Sequence, residues 1–460
     1  MNLNNFHSVY FIGIGGIGMS AIARYFNAIG KSVSGYDKTP SALTEALKSE
    51  GINISFEDSS ETIPAEILKN SGDVLIVYTP AIPKGHKQFD FFKEKGYTIK
   101  KRSEVLGEIT KNSYTLAVAG THGKTTTSSI LAHIFKHSGK DSAAFLGGIT
   151  VNYNSNLILP ENKNILEAAT IVEADEYDRS FLTLHPDVAI ITSMDADHLD
   201  VYGEKKYLEE SFNLFANQLH KGGKLIFKNG LPLQLPEGIT SESYAANEEA
   251  FHCAENIRVE QHNFMFDYVS PLGEIRNISF KMPGRHNIEN AIAASAAAIT
   301  AGINLDEIKS ALESFRGVKR RFEYIIDSSD MVFIDDYAHH PEELKACIGA
   351  VKELYPDKII TGVFQPHLFS RTRDFAESFA KSLDMLDECI LLDIYPAREN
   401  PIEGVSSDML LDLMESKNKK LLSKEELIKE FIIKKPEVLL ILGAGDIDRL
   451  VEPIRKELLK

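Results

Sequence analysis

The sequence is poor in cysteine and in positive charge. Its three cysteines, Cys253, Cys347 and Cys389, are isolated and form no C-x-x-C pair. This spacing excludes a disulfide framework and a cysteine zinc site, and it is typical of a reducing cytoplasm. Fifty basic residues stand against 66 acidic ones, a net charge of −16. Non-specific binding to nucleic acid or to anionic membranes is therefore disfavoured, and any phosphate site must be local.

The sequence also lacks long apolar runs. None reaches the roughly 18 residues that a bilayer-spanning helix needs. The N-terminal stretch MNLNNFHSVYFIGIGG has no Lys or Arg before its apolar part, so it predicts a first strand rather than a signal peptide. We therefore expect a cytoplasmic protein without membrane insertion and without a nucleic-acid partner.

What the chain does contain is a series of short apolar runs separated by helical patterns, which indicates parallel α/β sheets. The runs lie at 8–12, 33–36, 74–78, 115–119, 169–173, 188–193, 224–227, 331–335, 359–364, 389–394 and 437–442. Breaks near 108–113 and 316–319 predict three domains, at 1–110, 111–316 and 317–460. Residues 229–283, with alternating segments at 262–268 and 274–281, predict a β-rich extension of the middle domain.

The stretch AGTHGKTTT at residues 119–127 directly follows an apolar run. A glycine-rich turn that opens a helix directs backbone N–H groups at an anion, Lys124 adds a cation for the β- and γ-phosphates, and the Thr125 hydroxyl can coordinate Mg²⁺. The spacing is shorter than in the common P-loop pattern. The alternative is a strand-to-helix turn with a chance lysine. The predicted ATP-binding residues of this stretch are Gly120, Thr121, His122, Gly123, Lys124, Thr125 and Thr126.

A second glycine-rich turn, residues 13–18, follows the first strand run, and Asp37 ends the second run about twenty residues on. This pattern suits NAD, but it equally suits the diphosphate of a nucleotide sugar or a purely structural turn. NAD would leave the lysine turn at 124 unexplained. The nucleotide sugar is therefore the preferred interpretation, with Gly15, Gly16, Gly18 and Asp37 as candidate binding residues.

Polar residues cluster at the predicted strand ends of the middle domain. Glu173 and His198 end neighbouring runs, where a carboxylate and an imidazole can hold Mg²⁺ between phosphate and substrate oxygens. The alternative is a structural pair. Asn290 is expected in the first turn of an alanine-rich helix, where it either binds ATP or caps the helix.

Three motifs mark the last domain. Arg321 lies in the basic turn 319–323 at the domain junction, where it either reaches ATP phosphates or is simply solvated. The string DDYAHHPEE carries Asp336 and His340. Gln-Pro-His at 365–367, followed by Arg371, suggests capture of a carboxylate or phosphate.

The chain carries, in this order, the strings GIGGIGMSAIA, AGTHGKTTT, EADEYDRSF, DADHLDVYG, PGRHNIENA, DDYAHHPEE, FQPHLFSRTRDF and GAGDID. Together they resemble the Mur ligases of peptidoglycan synthesis. The resemblance implies a three-domain α/β fold. It has a Rossmann-like N-terminal domain for a UDP-sugar, a P-loop-type central ATPase domain, and a Rossmann-like C-terminal domain that closes over the site.

The resemblance also implies residue roles. UDP-sugar binding falls to the candidates of the first glycine turn. Lys124, Glu173 and His198 are the implied catalytic residues, and Thr125, Glu173 and His198 the implied metal ligands. Asn290, Arg321 and Asp336 would bind ATP with the lysine turn. His340, His367 and Arg371 would line an amino-acid pocket.

The implied reaction is ATP- and Mg²⁺-dependent amide formation between the lactyl carboxylate of UDP-N-acetylmuramate and L-alanine, through an acyl phosphate. A base must deprotonate the amine, and His198 and a neighbouring carboxylate are both candidates. The rivals are a ligase that recycles a preformed tripeptide, a dehydrogenase, and a nucleotide-binding regulator without turnover. A monomer or weak homodimer is expected. One residue departs from the family pattern, since Leu368 stands where an Arg is commoner.

Overall fold

The structure is a computed structural model that describes residues 3–161, 164–195, 202–246, 248–397 and 399–460. It contains three sheets with helices between their strands, in the chain order that the sequence predicts. Within these ranges no helix has both the length and the apolar character that crossing a membrane would require.

The first sheet is five-stranded and parallel, in the order β3-β2-β1-β4-β5. Val9 and Phe11 of β1 pack into one core and Tyr10 and Ile12 into another, because both faces of this central strand are covered. The order reverses beside β1, so the turn after β1 lies where ligands of such sheets bind. The elements are β1 (Ser8–Ile12), α1 (Ile17–Ala28), β2 (Ser32–Tyr36), α2 (Ala42–Ser49), β3 (Asn53–Ser55), α3 (Ala65–Lys69), β4 (Val74–Tyr78), α4 (Lys87–Glu94), β5 (Thr98–Lys101) and α5 (Arg102–Thr110).

The second sheet has ten strands in the order β15-β14-β13-β12-β11-β10-β6-β9-β7-β8. Strand β6 runs parallel to both β10 and β9, so the turn after β6 is flanked by the carboxyl ends of those two strands. The strands are β6 (Thr115–Ala119), β7 (Ser142–Thr150), β8 (Ser155–Ile158), β9 (Ala169–Glu173), β10 (Val188–Ile191), β11 (Lys224–Lys228), β12 (Thr240–Ala246), β13 (His252–Glu260), β14 (Asn263–Ser270) and β15 (Gly273–Phe280). The helices are α6 (Lys124–His137), α7 (Lys205–Ala216), α8 (Arg285–Thr300) and α9 (Leu305–Ser314).

The third sheet is six-stranded, in the order β16-β17-β21-β18-β19-β20, and only the β16–β17 pair is antiparallel. Its strands are β16 (Glu323–Asp327), β17 (Val332–Asp336), β18 (Ile360–Phe364), β19 (Glu388–Leu391), β20 (Lys419–Leu421) and β21 (Val438–Leu442). Its helices are α10 (Pro341–Leu354), α11 (Phe369–Asp374), α12 (Ala376–Leu383), α13 (Ser407–Leu413), α14 (Lys424–Ile433) and α15 (Asp448–Leu458).

Every apolar run that the sequence predicts contains a strand, and the β-rich extension at 229–283 is confirmed by β12 to β15. The predicted run 188–193 is too long at its end. Strand β10 stops at Ile191, and the hydroxyls of the next two residues, Thr192 and Ser193, bond to the turn after β6.

Contacts divide the chain into two compact units. The first comprises Met1–Ala254, Tyr268–Ile275 and Glu289–Ser314, and the second comprises Glu255–Asp267, Arg276–Ile288 and Phe315–Lys460. The first unit thus holds the first sheet together with most of the second sheet.

A buried polar contact joins those two sheets within the first unit. Asn156 of β8 is fully buried and donates to the Ile17 carbonyl oxygen at 2.6 Å and to Ser20 Oγ at 2.9 Å, both on α1. Beside it, the rings of Tyr25 and Phe145 pack 5.3 Å apart. Helix α1, which starts at the first glycine turn, is therefore fixed against β7 and β8.

The three cysteines are free. Cys347 and Cys389 are buried, and Cys253 is half-buried. Burial raises the pKa of the Cys389 thiol to about 12, so this residue behaves as a core side chain rather than a reactive thiol.

Candidate active site

The lysine turn has the predicted strand–turn–helix geometry. Strand β6 ends at Ala119 and α6 begins at Lys124, and the turn at residues 120–123 is called the phosphate loop. Gly120 has φ +137°, and a Cβ there would lie 2.0 Å from Thr192 Oγ1. Gly123 has φ +83°, and its Cβ would lie 2.6 Å from Asn290 Oδ1. Both positions therefore require glycine.

Residues that follow β10 fix the phosphate loop from one side. Ser193 Oγ accepts a hydrogen bond from the His122 amide at 2.7 Å and pairs with Thr121 Oγ1 at 2.9 Å. Thr121 Oγ1 also accepts from the Asp195 amide at 3.1 Å. Thr192 and Ser193 were not predicted as site residues, although their position directly after a strand neighbouring β6 is a usable signal. Thr126 lies buried in the first turn of α6.

The Lys124 ammonium is held against the phosphate loop. It donates to the carbonyl oxygens of Gly120 at 2.5 Å and Thr121 at 3.3 Å. Its Nζ also lies 2.9 Å from Oε1 and 2.8 Å from Oε2 of Glu176. Burial lowers the pKa of Lys124, but the carboxylates of Glu176 and Glu173 outweigh burial and raise that pKa. Lys124 is therefore a charged group.

The structure brings Glu173 to the phosphate loop, as predicted. Glu173 ends β9 and accepts a hydrogen bond from Thr125 Oγ1 at 3.1 Å and another from the Gly147 amide at 3.0 Å. A Cβ on Gly147 would lie 2.3 Å from Glu173 Oε2, so glycine at 147 gives the carboxylate its place. A carboxylate and a threonine hydroxyl thus meet beside the phosphate loop.

Two further predicted residues have different outcomes. His198 lies outside the described residues. Asn290 is buried, and its Oδ1 accepts from Thr127 Oγ1 at 3.1 Å. Helix α8 begins at Arg285, so the expectation that Asn290 lies in the first turn is wrong, and it lies in the second. Its amide packs against the Gly123 turn rather than capping the helix.

The first glycine turn closes on Asp37. The Gly15 amide donates to Asp37 Oδ2 at 2.7 Å, and a Cβ on Gly15 would lie 2.8 Å from the same oxygen. Gly13 has φ +86°, and Gly16 precedes the first residue of α1. The carboxylate therefore fixes the turn through its backbone.

Arg102, which the sequence did not single out, connects this turn with the second sheet. It begins α5, and its Nη2 donates to Asp175 Oδ2 at 2.9 Å. A Cβ on Gly18 would lie 2.7 Å from Arg102 Nη1. A cavity of about 270 Å³ opens here, and its lining includes Gly18 and Arg102 from the first sheet and Glu173 from the second. The glycine turn and Glu173 thus share one cavity.

In the second compact unit, Asp336 and Arg321 both lie beside Tyr337. Asp336 ends β17, and its carboxylate accepts from the amides of Phe322 and Ala338, both at 2.7 Å. Burial raises the pKa of Asp336 to about 6. The Arg321 guanidinium lies 5.0 Å from the centre of the Tyr337 ring.

The neighbouring pair Arg320 and Asp335 anchors the basic turn. Arg320 Nε donates to Asp335 Oδ2 at 3.2 Å, and Nη2 donates to the Gly443 carbonyl oxygen at 2.6 Å. Asp335 is buried, and burial raises the pKa of its carboxyl to about 7. Arg320 has φ +60°, and its guanidinium, like that of Arg321, also lies over the Tyr337 ring, 5.1 Å from the ring centre.

The predicted amino-acid pocket residues follow β17 and β18. His340 precedes α10, and its Nδ1 accepts from the Glu342 amide at 3.4 Å. The His367 ring stacks 5.8 Å from that of Tyr395. Arg371 lies in α11.

His339 lies between these groups, with its ring 6.0 Å from that of His367. Burial, with a smaller contribution from the Arg371 charge, lowers the pKa of His339 to about 4. His339 therefore lies close enough to Arg371 to feel its charge. His339 had been assigned no role from the sequence.

Leu368, the departure from the family pattern, has an unusual backbone. Its φ is +70° and ψ +135° immediately before α11, and its amide donates to the Tyr395 carbonyl oxygen at 3.0 Å. A leucine at positive φ is a genuine conformational outlier. Its side chain is only half-buried, so it is not a full core residue.

Comparison with known proteins decides the family. Three family models match consecutive parts of the chain. They are the Mur ligase family catalytic domain at residues 8–114, the Mur ligase middle domain at 118–298 and the Mur ligase glutamate ligase domain at 320–445. The chain is also 54% identical to the UDP-N-acetylmuramate–L-alanine ligase of Flavobacterium psychrophilum, over 100% of this chain and 99% of that protein. The chain belongs to the Mur ligase family of ATP-dependent ligases.

Solved structures agree with the Mur ligase fold. The UDP-N-acetylmuramate–alanine ligase of Thermotoga maritima is similar with a TM-score of 0.82 at 26% identity, covering 98% of each chain. A murein peptide ligase of Psychrobacter arcticus has a TM-score of 0.70 at 21% identity, again covering 98% of each chain. The predicted three-domain α/β fold class is therefore confirmed.

Proposed function

We propose that this Mur ligase joins L-alanine to the lactyl carboxylate of UDP-N-acetylmuramate at the expense of ATP. The observation that carries the proposal is the 54% identity, over the full chain, to a relative that bears this activity in its name. The contacts among Lys124, Thr125 and Glu173 support it, because they combine a cation and oxygen ligands at a phosphate loop.

We further propose the division of labour that the sequence predicts, with domains at 1–110, 111–316 and 317–460. The first would bind the UDP-sugar through Gly15, Gly16, Gly18 and Asp37. Gly16 and Gly18 line the same cavity as Glu173, and Asp37 holds the neighbouring Gly15 amide. Arg102 joins this set, because its guanidinium lies beside Gly18 and can bind a diphosphate.

The phosphate loop would take the ATP phosphates, with Lys124 on the transferred group and Asn290 supporting the turn. The loop residues 120–123 and Thr125 and Thr126 form the amide-lined start of α6, which favours anions. Arg321 and Asp336 of the second unit are the proposed further ATP-binding groups.

Thr125 and Glu173 fit a magnesium ion. Their facing oxygens are 3.1 Å apart, close to the roughly 3 Å between adjacent ligands of an octahedral ion with bonds near 2.1 Å. Within the described ranges no three His, Cys, Asp or Glu side chains form a metal cluster. Thr125 and Glu173 would therefore hold one Mg²⁺ together with substrate oxygens, and His198 is the proposed ligand of a second. When bound, the metal supplies charge that neutralises the phosphates.

The proposed reaction has two steps. A lactyl carboxylate oxygen attacks the γ-phosphorus of ATP, the bond to the bridging oxygen breaks, and ADP leaves with that bond's electrons. The alanine amine then attacks the acyl carbon, and inorganic phosphate leaves as the amide forms. Lys124 stabilises charge on the transferred phosphoryl group. The amine proton passes to a base, for which His198 and a carboxylate near Glu173 are the proposed candidates.

His340, His367 and Arg371 are the proposed amino-acid pocket. Arg371 can pair with the alanine carboxylate, and the imidazoles of His340 and His367 can exchange hydrogen bonds with the substrate. We expect the enzyme to act in the cytoplasm, as a monomer or weak homodimer.

One assay tests the proposal. Phosphate release is measured with ATP, Mg²⁺ and UDP-N-acetylmuramate, and with alanine, other amino acids or a tripeptide as the amine. Phosphate release with alanine, but not with the other amines, supports the proposal. Release only with tripeptide would identify a recycling ligase, and no release with any amine would point to a binding protein without turnover.

A further inference from the structure

Protein groups occupy the donors of Lys124. An ammonium has three N–H donors. In the structure these face the Gly120 carbonyl oxygen at 2.5 Å, the Thr121 carbonyl oxygen at 3.3 Å and the Glu176 carboxylate at 2.8 and 2.9 Å. A phosphate can bind this lysine only by displacing one of these acceptors. The charged acceptor, Glu176, competes most strongly.

Glu176 is fixed in its position. The residue is 0% exposed, and its carbonyl oxygen accepts a hydrogen bond from the Tyr202 hydroxyl at 2.5 Å. Tyr202 is itself buried and has the Arg179 guanidinium 5.7 Å from its ring centre. The backbone that carries the carboxylate is therefore anchored beside the phosphate loop.

The charges around Lys124 do not balance. Glu176 and Glu173 both act on this one cation, so the surroundings of the phosphate loop carry an excess of negative charge. A nucleotide without a metal ion adds several more negative charges at the same place. In a buried site such repulsion is screened weakly by salt.

We propose that Glu176 is a built-in competitor of the nucleotide phosphates. It holds Lys124 in the nucleotide-free protein and makes nucleotide binding depend on the charge that Mg²⁺ brings. The proposal deepens the proposed function and rests on it, because it takes Lys124 as the ATP-binding lysine. Glu176 acts through Lys124 and is therefore a positioning residue.

The test is a binding measurement with ADP, which cannot turn over. Calorimetric titrations of the full chain are carried out with excess Mg²⁺ and, separately, with a chelator. Glu176→Gln keeps the size and one acceptor but removes the charge. We expect metal-free ADP to bind about tenfold more tightly to this variant than to the wild type, since a like charge is gone. Binding of ADP with Mg²⁺ should change by less than about threefold, because the metal already offsets that charge.

Asp178→Asn is the matched control. It removes one negative charge from the same acidic segment, at a residue whose carboxylate accepts from the Ser180 hydroxyl. This variant should keep the metal dependence of the wild type. A general loss of negative charge would instead tighten metal-free binding in both variants.

Glu176→Asp covers the case in which Glu176→Gln does not fold. It keeps the charge but draws it back from Lys124, so metal-free ADP should again bind more tightly, by a smaller factor. Unchanged or weaker metal-free binding in a folded Glu176 variant would overturn the proposal. Damage to the fold could not imitate the expected result, because it weakens binding with and without metal. If the wild type binds no ADP even with Mg²⁺, the proposed function fails first.

Discussion

At the scale of single residues, Lys124 is the most consequential side chain of the site. We predict that Lys124→Ala leaves the fold intact but lowers the rate of phosphate release at least about 10²- to 10³-fold, because a cation at the developing phosphoryl charge is lost. Phosphate release and Tm are measured together. Lys136→Ala, on the same helix and paired with Glu161 at 2.7 Å, is the control and should retain activity. Near-normal turnover in folded Lys124→Ala would contradict the assignment.

Leu368 offers a second residue-scale prediction. A leucine at φ +70° stores backbone strain of about 1–3 kcal/mol. Leu368→Gly should therefore be more stable than Leu368→Ala by about 1 kcal/mol, since both remove the side chain and only glycine relieves the strain. Urea unfolding measures both variants. At Ser378, inside α12 and exposed, the order should reverse, with Ala above Gly. The same order at both positions would show that Leu368 is unstrained.

Some site residues could be predicted from sequence and others could not, for a physical reason. Gly120, Gly123 and Lys124 lie in one local turn whose geometry follows from residue type. Arg102 and Glu176 acquire their positions from partners 73 and 52 residues away. No local periodicity records such pairings.

At the scale of elements, α6 carries a buried histidine that makes stability depend on pH. His133 bonds to the Tyr153 hydroxyl at 2.7 Å and to Ser314 Oγ at 3.0 Å. Burial lowers the pKa of His133 from 6.5 to about 4. The unfolded chain therefore binds the proton first. The contribution of the neutral ring is complete above about pH 6.5 and is lost as the pH falls towards 4.

We predict that His133→Gln makes the unfolding free energy fall less steeply as the pH is lowered. Between pH 7 and pH 5 the wild type should lose about 2 kcal/mol of unfolding free energy through this residue, and the variant should lose that much less. Urea unfolding at both pH values measures the difference. His7→Gln, at an exposed position before β1, should show the wild-type slope. Parallel slopes for wild type and His133→Gln would refute the assignment.

Two of the strands that the sequence did not predict, β5 and β7, lack a clear local signal, each for its own physical reason. Strand β5 (Thr98–Lys101) is only partly buried and ends in two lysines, so it has no apolar run to recognise. Strand β7 contains Gly147 and Gly148, which weaken a strand signal. Gly147 is there because Glu173 occupies the space of its Cβ. The local pattern thus fails where the active site imposes its own requirement.

At the scale of the whole molecule, the join between the first two sheets depends on Asn156. We predict that Asn156→Ala lowers the unfolding free energy by about 1–3 kcal/mol, because the Ile17 carbonyl and its neighbours lose a buried partner. Helix α1 should then shift, and KM for UDP-N-acetylmuramate should rise while the affinity for ADP with Mg²⁺ is kept. Unfolding curves and kinetics test both parts.

Asn27→Ala is the control for that prediction. Asn27 is exposed on the same helix and donates to the Glu50 carbonyl oxygen at 3.3 Å. Its removal should leave KM unchanged. If both substitutions changed KM equally, Asn156 would have no specific effect on the sugar site, and the prediction would be wrong.

The cavity shared by Gly18 and Glu173 has a consequence for substrate length. Both walls of the cavity belong to one compact unit and are joined through Asn156. The distance from the glycine turn to Glu173 is therefore fixed by the fold. Under the proposed function, one end of this cavity takes the diphosphate and the other end takes the carboxylate to be activated. A donor whose carboxylate has been moved outward by an added residue is then out of reach, so the enzyme stops after one addition by measuring distance rather than by recognising the residue added.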